Sequence, residues 1–159
     1  MPNSAPMRPS LFLSLLLASA ALAKPWQGIE PGTSKKAEVI DKFGPPSKVV
    51  KSEGAEILAY LGEQAIKGAK QAQFRVELAT GLVDRIDVFP GPIIDKDAIE
   101  TTYGPMCASP KGGGACYVKK LTDDFRTYFQ YLSMGLTVFF KEDGKTVHSF
   151  VFQPTRGAK

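Results

Sequence analysis

Phe43-Gly44-Pro45-Pro46 ends one apolar-faced segment and Tyr103-Gly104-Pro105 ends another, with Val39 in the first matched by Ile99 in the second. Working outward, Leu58-Ala59-Tyr60-Leu61 answers Phe129-Gln130-Tyr131-Leu132, and Phe74, Val76 and Leu78 answer Leu136, Val138 and Phe140. Gly81 answers Gly144, and Ile86, Val88 and Pro90 answer Phe150, Phe152 and Pro154. The matches keep their order, and the length changes fall at turns. Residues 29–90 and 94–154 therefore read as two copies of one unit. A repeated apolar skeleton points to a surface built twice, which serves binding more often than catalysis. With only two copies, one pseudo-symmetric domain is expected rather than an open solenoid.

Each copy opens with a short helix. Ser34 to Phe43 follows Pro31-Gly32-Thr33, where Thr33 or Ser34 can cap, and Ala37, Val39, Ile40 and Phe43 form its apolar face. Asp95 can cap the second helix, which runs to Tyr103 with Ala98 and Ile99 facing inward. Gly-Pro ends both, because proline cannot continue a helix and glycine supplies the turn.

β-rich segments follow each helix. In the first copy they are Ser47–Lys51, Glu56–Leu61, Ala72–Ala79 and Val83–Phe89. In the second they are Cys116–Leu121, Arg126–Leu132, Leu136–Lys141 and Thr146–Phe152. Thr80-Gly81 and Asp143-Gly144 mark hairpin turns. The expected fold class is α+β: two tandem, pseudo-symmetric units, each a helix on a four-stranded antiparallel sheet. The expected division is a signal peptide over 1–23, units over 24–90 and 91–154, and a disordered tail over 155–159.

Alternation separates the two sheet faces. Phe74, Val76, Leu78, Ile86 and Val88 point inward, leaving Arg75, Glu77, Arg85, Asp87 and Phe89 outward. In the second copy Phe129, Tyr131, Leu136, Val138, Phe140, Phe150 and Phe152 point inward. Its outward set includes Tyr128, Leu132, Phe139 and Val151, an apolar and aromatic group where the first copy is charged. These four residues are the candidate binding site. An aromatic patch on one face of an antiparallel sheet marks a partner surface, unless the stretch around Trp26 or the other copy covers it.

The N-terminus reads as a secretory leader. Arg8 precedes the apolar run Leu11 to Leu22, and Ala21-Leu22-Ala23 is a small-x-small cleavage pattern. The run is shorter than the roughly 20 apolar residues a membrane span needs. Loss of Arg8 lowers the formal charge from +4 to +3. The expected mature chain is exported, periplasmic or extracellular, with no stable membrane anchor. Cys107 and Cys116 are then expected to form a disulfide, since an even cysteine count in an oxidising compartment favours pairing. Their spacing does not fit a Cys-x-x-Cys redox centre, and Gly112-Gly113-Gly114 between them reads as a flexible hairpin tip.

No catalytic or metal-binding residues are predicted, and no cofactor is expected. His148 is the only histidine. Asp84, Asp87, Asp123 and Asp124 read as turn and surface residues. The glycine run lacks the Lys-Ser/Thr of a phosphate loop. No basic stripe with interleaved aromatics suggests nucleic acid.

Pro31-Gly32-Thr33, Val39, Phe43-Gly44-Pro45-Pro46 and Leu58-Ala59-Tyr60 together resemble the SmpA/OmlA (BamE) family of outer-membrane assembly lipoproteins. The tandem arrangement is similar to that of β-lactamase inhibitory protein. The resemblance implies paired helix-and-sheet units and, by the second likeness, a target bound across a concave sheet. The lipoprotein family carries a cysteine at its mature N-terminus, and this chain has none there. The expected function is a non-enzymatic protein- or peptide-binding module of the cell envelope, of assembly-factor or hydrolase-inhibitor type. The competing expectation is a small hydrolase or ligand-binding enzyme with a cleft between the units, using His148 or the acids.

Overall fold

The structure, a computed structural model, describes residues 23–155. The expected leader, apart from Ala23, and residues 156–159 of the expected tail lie outside the described residues. Two short helices are present, α1 (Lys36–Phe43) and α2 (Lys96–Tyr103). Eight strands follow the chain: β1 (Lys48–Ser52), β2 (Ala55–Leu61), β3 (Ala69–Glu77), β4 (Val83–Pro90), β5 (Val118–Leu121), β6 (Thr127–Tyr131), β7 (Leu136–Phe140) and β8 (Val147–Phe152).

The expected pair of separate helix-and-sheet units is not what forms. All eight strands belong to one antiparallel sheet in the order β1-β2-β3-β4-β8-β7-β6-β5. The join is β4 against β8, with Ile86 opposite Phe152, Asp87 opposite Val151 and Val88 opposite Phe150. Two separate four-stranded sheets would each leave the last strand as an open edge of unpaired backbone groups. Pairing those two strands removes both edges and merges the apolar faces. One row of register positions now crosses six strands: Leu58, Phe74, Ile86, Phe152, Leu136 and Tyr131. All six are buried in a single core. Each large side chain so buried stabilises by about 1.5–3 kcal/mol.

Both helices lie on this face. Phe43, at the end of α1, stacks on Phe74 and meets Tyr60 edge-on; Tyr103, at the end of α2, meets Tyr131. Each helix ends on its glycine, and in each the carbonyl of that glycine accepts a hydrogen bond from a core tyrosine. Tyr60 Oη donates to Gly44 O and Tyr131 Oη to Gly104 O, both at 2.9 Å. Asp95 caps α2 as expected, accepting from Ala98 N at 2.8 Å. At α1 the capping differs from expectation. Ser34 is buried and its hydroxyl accepts from Glu30 N, while Glu38 reaches back to accept from Lys35 N.

Trp26 joins the helix-side core against Phe43 and Phe74, so it does not cover the opposite face. Leu78, expected to point inward, is 63% exposed, because β3 ends at Glu77 and the chain turns through 78–81. Cys107 and Cys116 form the expected disulfide. No helix among the described residues is long and apolar enough to cross a membrane.

Candidate functional site

The face without helices carries the alternate residues of the same strands. Register places Ile57, Arg75 and Arg85 in one row and Gln73, Asp87, Val151, Thr137 and Gln130 in another. Tyr128 stands opposite Phe139 on β6 and β7, and their rings stack with centroids 5.2 Å apart. Four hollows lie along this face. They share Gln130, Thr137, Phe139, Val151, Arg85 and Asp87, so they run together as one trough across the sheet.

The trough changes character along its length. At the β3–β4 end two arginines sit directly opposite each other, Arg75 and Arg85. Like charges so placed repel, and each is held by its own acid. Arg85 makes a two-point pair with Asp87, with nitrogen–oxygen distances of 2.8 and 2.7 Å, and this bond pushes the guanidinium above its ordinary range. Arg75 pairs with Asp84 at the irregularity where the β3–β4 register shifts. Burial raises the Asp84 carboxyl despite the opposing pull of Arg75, and its Oδ1 has no partner. In the β6–β8 half the trough is lined by aromatic and amide side chains instead.

The four predicted residues are not equivalent. Tyr128 and Phe139 form the stacked platform, and Val151 lies between Asp87 and Thr137 in the same trough. Val151 points to this face as expected, yet it is only 4% exposed, because strands on both sides crowd it. Leu132 is 50% exposed and has left the strand: β6 ends at Tyr131, and Leu132–Met134 forms a single 3-10 turn at the end of the trough.

Two further features join the site. The β5–β6 loop bends over the trough, bringing Thr122, Asp123 and Asp124 to its rim. This loop is tied to itself by Thr122 Oγ1 against Asp124 and by an Arg126–Asp124 ion pair at 2.8 Å. Its tip, Phe125, has φ of 62° and is 82% exposed, a left-handed conformation that bulky residues rarely adopt. Alternation cannot find such a residue; the signal in the sequence is an aromatic amid turn-forming Asp123-Asp124. The disulfide loop is the second feature. It is docked rather than free: Gly114 O accepts from Ser133 Oγ at 2.8 Å, and Gly112 lies against Leu132.

His148 makes an edge contact with Phe89, ring centroids 5.5 Å apart, and hydrogen-bonds to no acid or serine among the described residues. Nor do three or more metal-ligating side chains gather anywhere among the described residues.

No protein-family model and no curated protein matches this chain. Its fold is similar to the solved structure of a DUF4309 family protein, YjgB, from Bacillus subtilis, at 14% identity and a TM-score of 0.51. The match covers 82% of this chain and 86% of that one. At this identity the likeness concerns the fold and carries no function with it.

Proposed function

We propose that the chain is an exported binding module that recognises a protein or peptide through the helix-free sheet face. The observation that carries this reading is the trough floored by the stacked Tyr128–Phe139 pair and bordered by the exposed Phe125. Aromatic side chains at the centre of a contact, ringed by polar groups, are the usual energetic focus of a protein interface. The two sheet edges are poor alternatives. β1 carries Lys48 and Lys51, and β5 carries Lys119 and Lys120; charges of this kind discourage strand addition. A partner is therefore steered to the face. The disulfide agrees with export, and the likeness of the sequence to β-lactamase inhibitory protein points to the same mode of binding.

The test is selection of peptides from a displayed random library on the mature protein, followed by titration against Tyr128→Ser/Phe139→Ser. Loss of binding by about tenfold or more is expected with the circular dichroism spectrum unchanged. Thr137→Arg, which fills the trough without removing the platform, should act in the same direction. Selected peptides that bind both variants as tightly as the native protein overturn the assignment.

A further inference from the structure

We propose that the hollow at the β6–β8 end of the trough takes the free C-terminal carboxylate of an extended polypeptide; this rests on the peptide-binding reading above. The hollow has a volume of ≈ 450 Å³ and differs in charge from its neighbours. Asp87, Asp123 and Asp124 line the adjacent hollows, whereas this one has a single cation, Lys120, and no carboxylate. Lys120 has no ion-pair partner among the described residues, so its ammonium is available to an anion. Arg75, Arg85 and Arg126, by contrast, are already paired with acids.

The second observation is the Gln130 side chain, which lines this hollow. Its Oε1 is buried and has no hydrogen-bond donor. A buried acceptor without a partner is costly, and a ligand N–H placed there removes the cost. The site thus wants an anion and an N–H donor close together. The last residue of a polypeptide supplies both, since its amide N–H is separated from its carboxylate by one carbon. Thr137 and Gln153 add neutral hydrogen-bonding groups, and Leu132 and Pro154 give an apolar wall for the terminal side chain. The Leu132–Met134 turn and the chain after β8 stand at this end, which suits a chain terminus better than a chain passing through.

The experiment uses a random peptide library displayed with free C-termini, panned on the mature protein. Selected sequences are then synthesised as free acids and as C-terminal amides. We expect the free acid to bind about tenfold or more tightly than the amide, the scale of one charge-assisted hydrogen bond in a sheltered site. Lys120→Met and Gln130→Leu should each erase most of that difference, with melting temperatures close to native. Equal binding of acid and amide, or an acid preference unchanged in Lys120→Met, overturns the proposal. A preference for peptides with internal acidic side chains, indifferent to amidation, overturns it as well. Binding that ignores amidation yet fails in Tyr128→Ser/Phe139→Ser leaves the trough reading standing and this one fallen. Binding that needs Lys120 and the free acid but survives that double substitution does the reverse. No enriched peptides at all counts against both.

Discussion

In the β1–β4 half, the glycine that ends the helix looks onto open space; in the β5–β8 half, the corresponding glycine lies under another segment of chain. A Cβ added at Gly44 meets nothing within 4 Å, whereas one at Gly104 falls 2.0 Å from the carbonyl oxygen of Ala115. The same tyrosine-to-glycine hydrogen bond is made in both halves, so the difference is not in the helix or the core. It comes from the disulfide loop, which the second half places against its helix end. The core design is shared, then, and the departures between the halves are layered onto its ends and its far face.

The sharpest way to break the comparison is to substitute the two glycines in parallel. Both have positive φ, 77° and 117°, so alanine strains either, by about 1–2 kcal/mol. Gly104→Ala must also push aside a backbone carbonyl and should cost about 3 kcal/mol or more in urea unfolding. Equal losses at the two sites would show that the loop does not bear on Gly104.

Removing the disulfide should come next in size. Cys107→Ser/Cys116→Ser is expected to lower stability by about 2.5–3 kcal/mol, from the loop entropy restored to the unfolded chain. In that background the Gly104→Ala penalty should shrink toward the Gly44→Ala value, because Ala115 is free to move. A double-mutant cycle measures this coupling directly.

Smaller and symmetric effects are expected from Tyr60→Phe and Tyr131→Phe. Each leaves one glycine carbonyl without its donor and should cost about 1–2 kcal/mol. The two losses should be alike, since ring packing is untouched. A clear inequality would mean that the two halves do not share their core chemistry after all.

The smallest effect concerns the turns. In the β7–β8 turn the Asp143 carboxylate accepts from the Thr146 hydroxyl and from the backbone N–H groups of Lys145 and Thr146. These bonds, that from the Thr146 side chain foremost, lower its pKa to about 2. The folded value lies below the unfolded one, roughly 3.9. Its contribution is therefore complete above that value and is lost as pH falls through about 2. The β3–β4 turn uses Thr80 and Glu77 instead, with one side-chain bond of 2.9 Å. An NMR titration of the Asp143 carboxyl should show the depressed midpoint, and Asp143→Asn should abolish the acid-side difference in melting temperature.

How much of this was legible before the structure divides along physical lines. Strand and helix positions follow from local signals, namely alternation, Gly-Pro stops and Asp-Gly turns, and these place all ten elements to within a few residues. The disulfide follows from cysteine count and the leader. The single sheet does not follow, because nothing in the Ile86–Val88 or Phe150–Phe152 pattern says that the last strands of the two segments pair with each other. Pairing between distant edges depends on which unpaired backbone finds which. The candidate site shows the same limit. Alternation gives the side of the sheet on which Val151 lies, but its burial depends on β4 and β7 flanking it. Leu132 and Phe125 escape alternation altogether, one in a 3-10 turn and one in a left-handed loop position.

The β4–β8 seam also fixes an order of events during synthesis. β4 is complete at Pro90, but its partner is the last strand of the chain, ending at Phe152. Until residues 147–152 emerge, the first four strands can pair among themselves while Ile86 to Val88 present an unsatisfied apolar edge. A chain cut short before β8 therefore keeps a nearly complete first half with an adhesive border, the state most prone to pair with a neighbour. The final strand is the latch that turns an adhesive fragment into a finished molecule.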